Sequence, residues 1–191
     1  MDFSKVKSLI IPEGNVKQIV SSIDGIIWKT VENVVEPITN LLPLATDIDR
    51  NTIYGGDYNG DGVNDGYITG YRLSSSSGNP TSMAGMCCSG FIPAKSGDIL
   101  RIKGITAKTG TASYVISYNS ANTKVTHKGL GQTDSLEWTN DSNYPWQSYE
   151  NGVLTVYLNS EYFGTNFDAI RFSAGIIDNN TIVTINQEIT D

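Results

Sequence analysis

The sequence predicts an all-β protein: a small N-terminal β-hairpin unit followed by a jelly-roll-like antiparallel β-sandwich. Three observations predict it. The polar residues are mostly Ser, Thr, Asn and Gly, and only 17% of the 191 residues are charged. Ten Tyr, five Phe, three Trp and many Ile and Val accompany them, unlike disordered chains, which are poor in such residues. Short apolar or alternating segments are separated by Gly, Asn, Ser and Asp clusters, as expected of many strands joined by turns. There is no Gly-x-Gly-x-x-Gly and no strand–helix alternation, which argues against a nucleotide-binding α/β fold. No internal repeat suggests a propeller or solenoid.

Residues 1–30 read as a separate small unit. Val6, Ile10 and Ile11 form a segment ended by Pro12-Glu13-Gly14, and Val16 to Val20 form a second. Asp24-Gly25 is a two-residue hairpin signal, followed by Ile26-Ile27-Trp28 as a third strand. Strands this few and short cannot build an independent core, so the unit needs a partner. Ile10, Ile11, Val16, Ile26 and Trp28 are its candidate docking residues. Residues 31–47 read as a connector. Val31, Val34, Val35 and Ile38 have helical spacing for one or two turns, Pro37 and Pro43 interrupt it, and Leu41, Leu42 and Leu44 are placed to dock on the next domain.

Residues 48–191 read as the sandwich. Tyr67, Thr69, Tyr71 and Leu73 alternate on one side of a strand. Further strands are expected at 99–105, 113–118, 124–127, 153–158, 169–174 and 181–189. In the run 90–104, Phe91-Ile92-Pro93 is a strand end at a sheet edge and Ser96-Gly97-Asp98 is a turn. Leu100 and Ile102 then alternate with Ile99, Arg101 and Lys103, giving one dry and one wet face.

Charge narrows the function classes. Thirteen Lys and Arg against twenty Asp and Glu give −7, which disfavours nucleic acid and anionic membrane surfaces. No segment approaches the ~20 apolar residues of a membrane span. Leu9-Ile10-Ile11 is too short for a secretory h-region of about 7–15 residues. A surface-type β protein without an export signal fits a virion component made in the host cytoplasm. Cys87 and Cys88 are adjacent and cannot staple a loop. They read as reduced thiols, at least one in a core-packed strand, with a vicinal or intermolecular disulfide as the alternative.

The sharpest local signal is Asp57-Tyr-Asn59-Gly-Asp61-Gly62-Val63-Asn-Asp65. Oxygen side chains recur at alternate positions, a glycine allows the sharp turn, and Val63 offers its backbone carbonyl. Calcium takes six to eight oxygens, and this spacing can wrap them around one Ca²⁺ with a structural role. The loop departs from an EF-hand where Ile68 replaces the bidentate Glu. It more closely resembles the calcium loops of FG-GAP, dockerin and thrombospondin-type repeats. The alternative is an acidic turn rich in Asn, Asp and Gly for conformational reasons alone.

A second cluster is aromatic: Trp138, Tyr144, Trp146, Tyr149, Tyr157, Tyr162 and Phe163. Tyr144, Trp146 and Tyr149 are candidate glycan or partner contacts, with Tyr144 and Trp146 expected on an exposed loop. The alternative puts Trp138 and Tyr157 in the core and the loop aromatics over the open end of the sandwich. Catalysis is not expected. His127 is the one histidine, read as a surface residue, and no Gly-x-Ser-x-Gly elbow is present. Glu137, Glu150, Glu161 and Asp168 lie near aromatics, but a glycosidase is defined by carboxylate separation.

Two resemblances set the functional expectation. Val6 to Val20 with Ile23-Asp-Gly-Ile-Ile-Trp28 resembles the N-terminal segment of many phage virion proteins, where a Pro-Glu-Gly strand pair precedes a hairpin ending in Trp. Gly90-Phe-Ile-Pro-Ala-Lys-Ser-Gly-Asp-Ile-Leu-Arg-Ile-Lys-Gly104, with Tyr71-Arg-Leu-Ser-Ser-Ser-Ser upstream, resembles a piece of phage tail, baseplate and minor structural proteins. There it belongs to a sandwich similar to a carbohydrate-binding module. The resemblances imply a non-enzymatic virion protein docked through its N-terminus. Its site would be the capsid surface, as decoration or head fibre, or the tail or baseplate, as an adhesin. The implied partners are other capsid or tail proteins, further copies in a homo-oligomer, and a host surface glycan. The alternative is a bacterial secreted or cell-surface carbohydrate-binding module.

Overall fold

The computed structural model describes residues 19–23, 27–31, 37–108, 113–133, 137–178 and 180–189. The chain divides into two compact units, Met1–Ile38 and Thr39–Asp191.

In the first unit, β1 (Ile19–Ile23) and β2 (Ile27–Val31) pair antiparallel, with Ile23 opposite Ile27 across the Asp24-Gly25 signal. Both strands lie later in the chain than their apolar runs suggest. Val31 ends β2 instead of starting a helical turn, because strand pairing overrides its spacing. Of the docking candidates, Trp28 lies in β2 opposite Ser22. Ile10, Ile11, Val16 and Ile26 lie outside the described residues.

The second unit begins at Thr39, within the expected connector. Asn40 shows why. Its Oδ1 accepts from Val183 N at 2.9 Å and Leu42 N at 3.1 Å, and its Nδ2 donates to Thr181 O at 2.8 Å. Leu41 N donates to Val183 O at 2.8 Å. This segment therefore covers a sheet edge and belongs to the sandwich. Leu42 and Ala45 are buried, whereas Leu44, expected to dock, is 57% exposed.

The sandwich strands are β3 (Tyr67–Leu73), β4 (Pro80–Ser89), β5 (Ile92–Pro93), β6 (Ile99–Lys103), β7 (Ser113–Tyr118), β8 (Lys124–Leu130), β9 (Gln147–Glu150), β10 (Val153–Tyr157), β11 (Ala169–Ala174) and β12 (Ile182–Ile185). A short helix, α1 (Ser160–Phe163), is capped by the Asn159 side chain. One sheet has the order β12-β6-β10-β9. The other has β3-β4-β11-β7-β8, with β5 also beside β11. All their pairings are antiparallel. The chain runs from β4 and β5 to β6 in the opposite sheet, back to β7 and β8, over to β9 and β10, and on through β11 to β12. That alternation is jelly-roll winding.

The main core lies between the sheets. Leu100, Ile102, Leu154, Val156 and Val183 from one sheet meet Ile92, Val115, Ile170 and Phe172 from the other. In β6 the expected alternation holds, with Leu100 and Ile102 fully buried and Arg101 and Lys103 partly exposed. In β11 all six residues are buried, because its sheet is covered on both faces. Its outer face carries a second core of Leu73, Cys88, Phe91, Ile116, Tyr118 and Ala169.

Several strands depart from the sequence reading: β9 was not expected, β8 runs on to Leu130, and β12 spans only Ile182–Ile185 of the expected 181–189. A register shift lies between Thr69 and Tyr71, around Gly70 at φ +78°. The bulge breaks the alternation, so Tyr67 and Leu73 are buried while Tyr71 is 41% exposed. A core-packed strand was expected only at the cysteines; β4 starts as early as Pro80, and Cys87 and Cys88 are both free and buried. Among the described residues no helix is long and apolar enough to cross a membrane.

Gln147 ties the two sheets. Its Oε1 accepts from Gly131 N at 2.8 Å, and its Nε2 donates to Gly131 O at 3.0 Å and Thr139 O at 2.8 Å. Every polar atom of this buried amide is thereby satisfied at the open side between β8 and β9.

Candidate functional site

The first candidate is the loop leading into β3. Gly60 and Gly62 adopt φ of +79° and +84°, which lets the chain curl around the side chains beside them. Asp57 accepts from Gly60 N at 2.6 Å, Asp61 N at 3.2 Å and Gly62 N at 2.8 Å. Asn59 Oδ1 accepts from Asp61 N, and Asp61 Oδ1 accepts from Val63 N. Asp65 is buried and accepts from Tyr58 N at 2.7 Å and Asn59 Nδ2 at 3.1 Å. The loop folds around its own amides, which hydrogen-bond its carboxylates.

This loop lines a cleft of about 90 Å³ together with Asn40, Asp178 and Thr181. Asp178 could not be assigned to this place from sequence, because only the strand order brings it there. Burial, then the neighbouring Asp65, push the Tyr67 phenol up to about 12. Among the described residues, no three His, Cys, Asp or Glu side chains are gathered tightly enough to hold a metal ion. Asp57, Asn59, Asp61, Asp65 and the Val63 carbonyl thus share one curled loop and do not form a closed ligand shell.

The second candidate lies along the open side between β8 and β9. Trp146 is half-buried and donates its indole N–H to Gly129 O at 2.9 Å. Tyr144 meets it edge-on at 5.6 Å, and Tyr162 of α1 does so at 5.7 Å. Tyr144 packs on Gly131, where an added Cβ would stand 2.4 Å from its ring. The Lys128 ammonium lies 4.8 Å from the Trp146 ring centre and 5.7 Å from that of Tyr162. Four side chains from β8, the loop before β9 and α1 therefore form one partly exposed cluster.

This arrangement changes the expected contact set. Tyr144 and Trp146 are half-buried, not fully exposed, because they cover the open side of the sandwich. Tyr149 packs inward against the core and makes no ring contact with the cluster. Tyr162 and Lys128 join it instead. Trp138 is a core residue whose indole N–H donates to Ile105 O at 3.2 Å. Tyr157, which the alternative reading put in the core with Trp138, is 39% exposed.

The remaining candidates are accounted for by local contacts. His127 sits in the middle of β8, half-buried and edge-on to Tyr114 at 5.5 Å. Burial, then Lys124 and Lys128, hold its pKa below the ordinary histidine value. Asp168 pairs with Arg50 at 2.8 Å. Arg171, which the sequence did not single out, is buried against the rings of Tyr54 and Phe91 and donates Nε–H to Ser89 O at 2.9 Å.

No family model matches the chain, and no curated protein or solved structure matches it.

Proposed function

We propose that the chain is a non-enzymatic structural protein of a phage virion. Its N-terminal unit docks on a capsid or tail protein, and its sandwich faces outward to contact a host glycan. The division into Met1–Ile38 with its β-hairpin and a self-contained sandwich from Thr39 carries this reading. The short hairpin unit needs a partner surface, while the sandwich has its own core. The resemblance of residues 6–28 to virion N-termini supports the same division of labour. Display in several copies turns weak glycan contacts into avidity.

The test is assembly. Particles are produced with the full chain or with a chain beginning at Thr39, then purified by sedimentation. The full chain co-sediments, and the truncated chain folds but stays in the soluble fraction. Equal incorporation of both would remove the docking role of residues 1–38.

The jelly-roll winding and the aromatic cluster also favour a second reading, a free carbohydrate-binding module of a bacterial surface. Polysaccharide binding together with absence from purified particles would select it. In either reading the Asp57–Asp65 loop is proposed to take a structural Ca²⁺, supported by its ligand spacing and by the curl at Gly60 and Gly62.

A further inference from the structure

We propose that the aromatic cluster binds saccharides carrying a negative charge, a carboxylate or a phosphate, and that Lys128 recognises that charge. The proposal rests on the glycan-contact part of the reading above and names the class of glycan.

The chain as a whole is acidic, at −7. The edge strand β8 is different: it reads Lys-Val-Thr-His-Lys-Gly-Leu and contains no acid. Burial first, and then the charges of Lys124 and Lys128, lower the His127 pKa, so the two lysines lie close enough to act on the same strand. The two lysines have different surroundings. Lys124 donates to the Ser75 carbonyl. Lys128 takes part in neither the Arg50–Asp168 nor the Arg101–Glu188 ion pair, and its ammonium makes no ion pair with another described residue. Glu161, beside Tyr162 in α1, does not pair with it either.

Lys128 is instead held over two rings. A cation over an aromatic face at a partly exposed site gains only about 0.5–1 kcal/mol, and its ammonium keeps donors free for an acceptor. The rings are fixed by the Trp146 hydrogen bond to Gly129, by Gly131 under Tyr144, and by the Asn159 cap of α1. A rigid apolar surface with one unpaired cation at its centre offers two complementary contacts. The C–H face of a pyranose packs on the rings, and its anionic substituent takes a charge-assisted hydrogen bond from Nζ. A neutral sugar would satisfy only the first.

The experiment uses the full chain and titration calorimetry against three polymers: polygalacturonate for carboxylate, phosphomannan for phosphate, and dextran as the neutral control. Wild type is expected to bind at least one anionic polymer and not dextran, and the arm that binds identifies the source of the charge. Lys128→Gln should weaken that binding about tenfold and Lys128→Arg should largely restore it, with melting temperatures close to wild type. Dextran binding that Lys128→Gln leaves unchanged would overturn the charge claim and leave the glycan contact standing. Binding to none of the three would overturn the inference, while virion docking would still be decided separately by the Thr39 truncation.

Discussion

Gln147 makes three hydrogen bonds across the open side of the sandwich, and a side chain that small carries a measurable share of stability. Gln147→Ala leaves the buried Gly131 N–H without its partner, while the Gly131 carbonyl keeps the Thr139 N–H. The expected loss is about 1–3 kcal/mol, read from urea unfolding, and a loss within error would mean that water replaces the amide. The cation–ring contacts of Lys128 and Arg171 could not be read from sequence. Each joins residues from strands, loops or the helix that lie far apart in sequence, so only the fold brings them together. Trp138 and Tyr157 illustrate the same limit. Both are large aromatics in the same stretch of chain, but Trp138 reaches the Ile105 carbonyl while Tyr157 falls on the outward side of β10.

At the scale of elements, three strands with β-branched or aromatic residues were legible to the residue, and others only in their place. β3, β7 and β11 begin and end where expected. β4 was not, because Pro-Thr-Ser-Met-Ala-Gly-Met has small, weakly strand-forming residues and gains its order from pairing with β3. The segment after Thr39 reads in sequence as a connector whose leucines dock on the sandwich, and its hydrogen-bonded anchor is the Asn40 side chain. Its contribution is testable. A chain starting at Thr39 should melt like the sandwich of the full protein, whereas one starting at Ile48 loses the burial of Leu42 and Ala45 and the Asn40 bonds. The expected cost is about 3–5 kcal/mol, and equal melting of the two truncations would contradict it. The acidic loop has its own test. Ca²⁺ should raise the melting temperature, EDTA should reverse the gain, and Asp61→Ala should abolish it. A melting curve indifferent to both reagents would leave the loop stabilised by its amides alone.

For the whole molecule, the β-sandwich was predictable because composition and turn spacing report architecture, while the two-faced burial of one sheet was not. That burial has a consequence for pH dependence. Desolvation, then Cys88, raise the Tyr54 phenol above its ordinary 10.0. Burial likewise raises Tyr118 above 10.0 and Cys88 above 9.0. The unfolded chain therefore ionises first. Stability from these groups is complete below their unfolded values and erodes as pH rises toward the folded ones. The melting temperature should fall between about pH 8 and pH 11, and Tyr54→Phe should soften the fall. A flat profile would mean that these groups titrate alike in both states.

The central claim is that residues 1–38 attach the chain to a particle and leave the sandwich outside. Electron microscopy of purified virions measures this directly. The expected density places the N-terminal unit against a capsid or tail protein and the sandwich from Thr39 outward into solvent. Particles without the chain, or particles that hold it by the sandwich, would contradict the account.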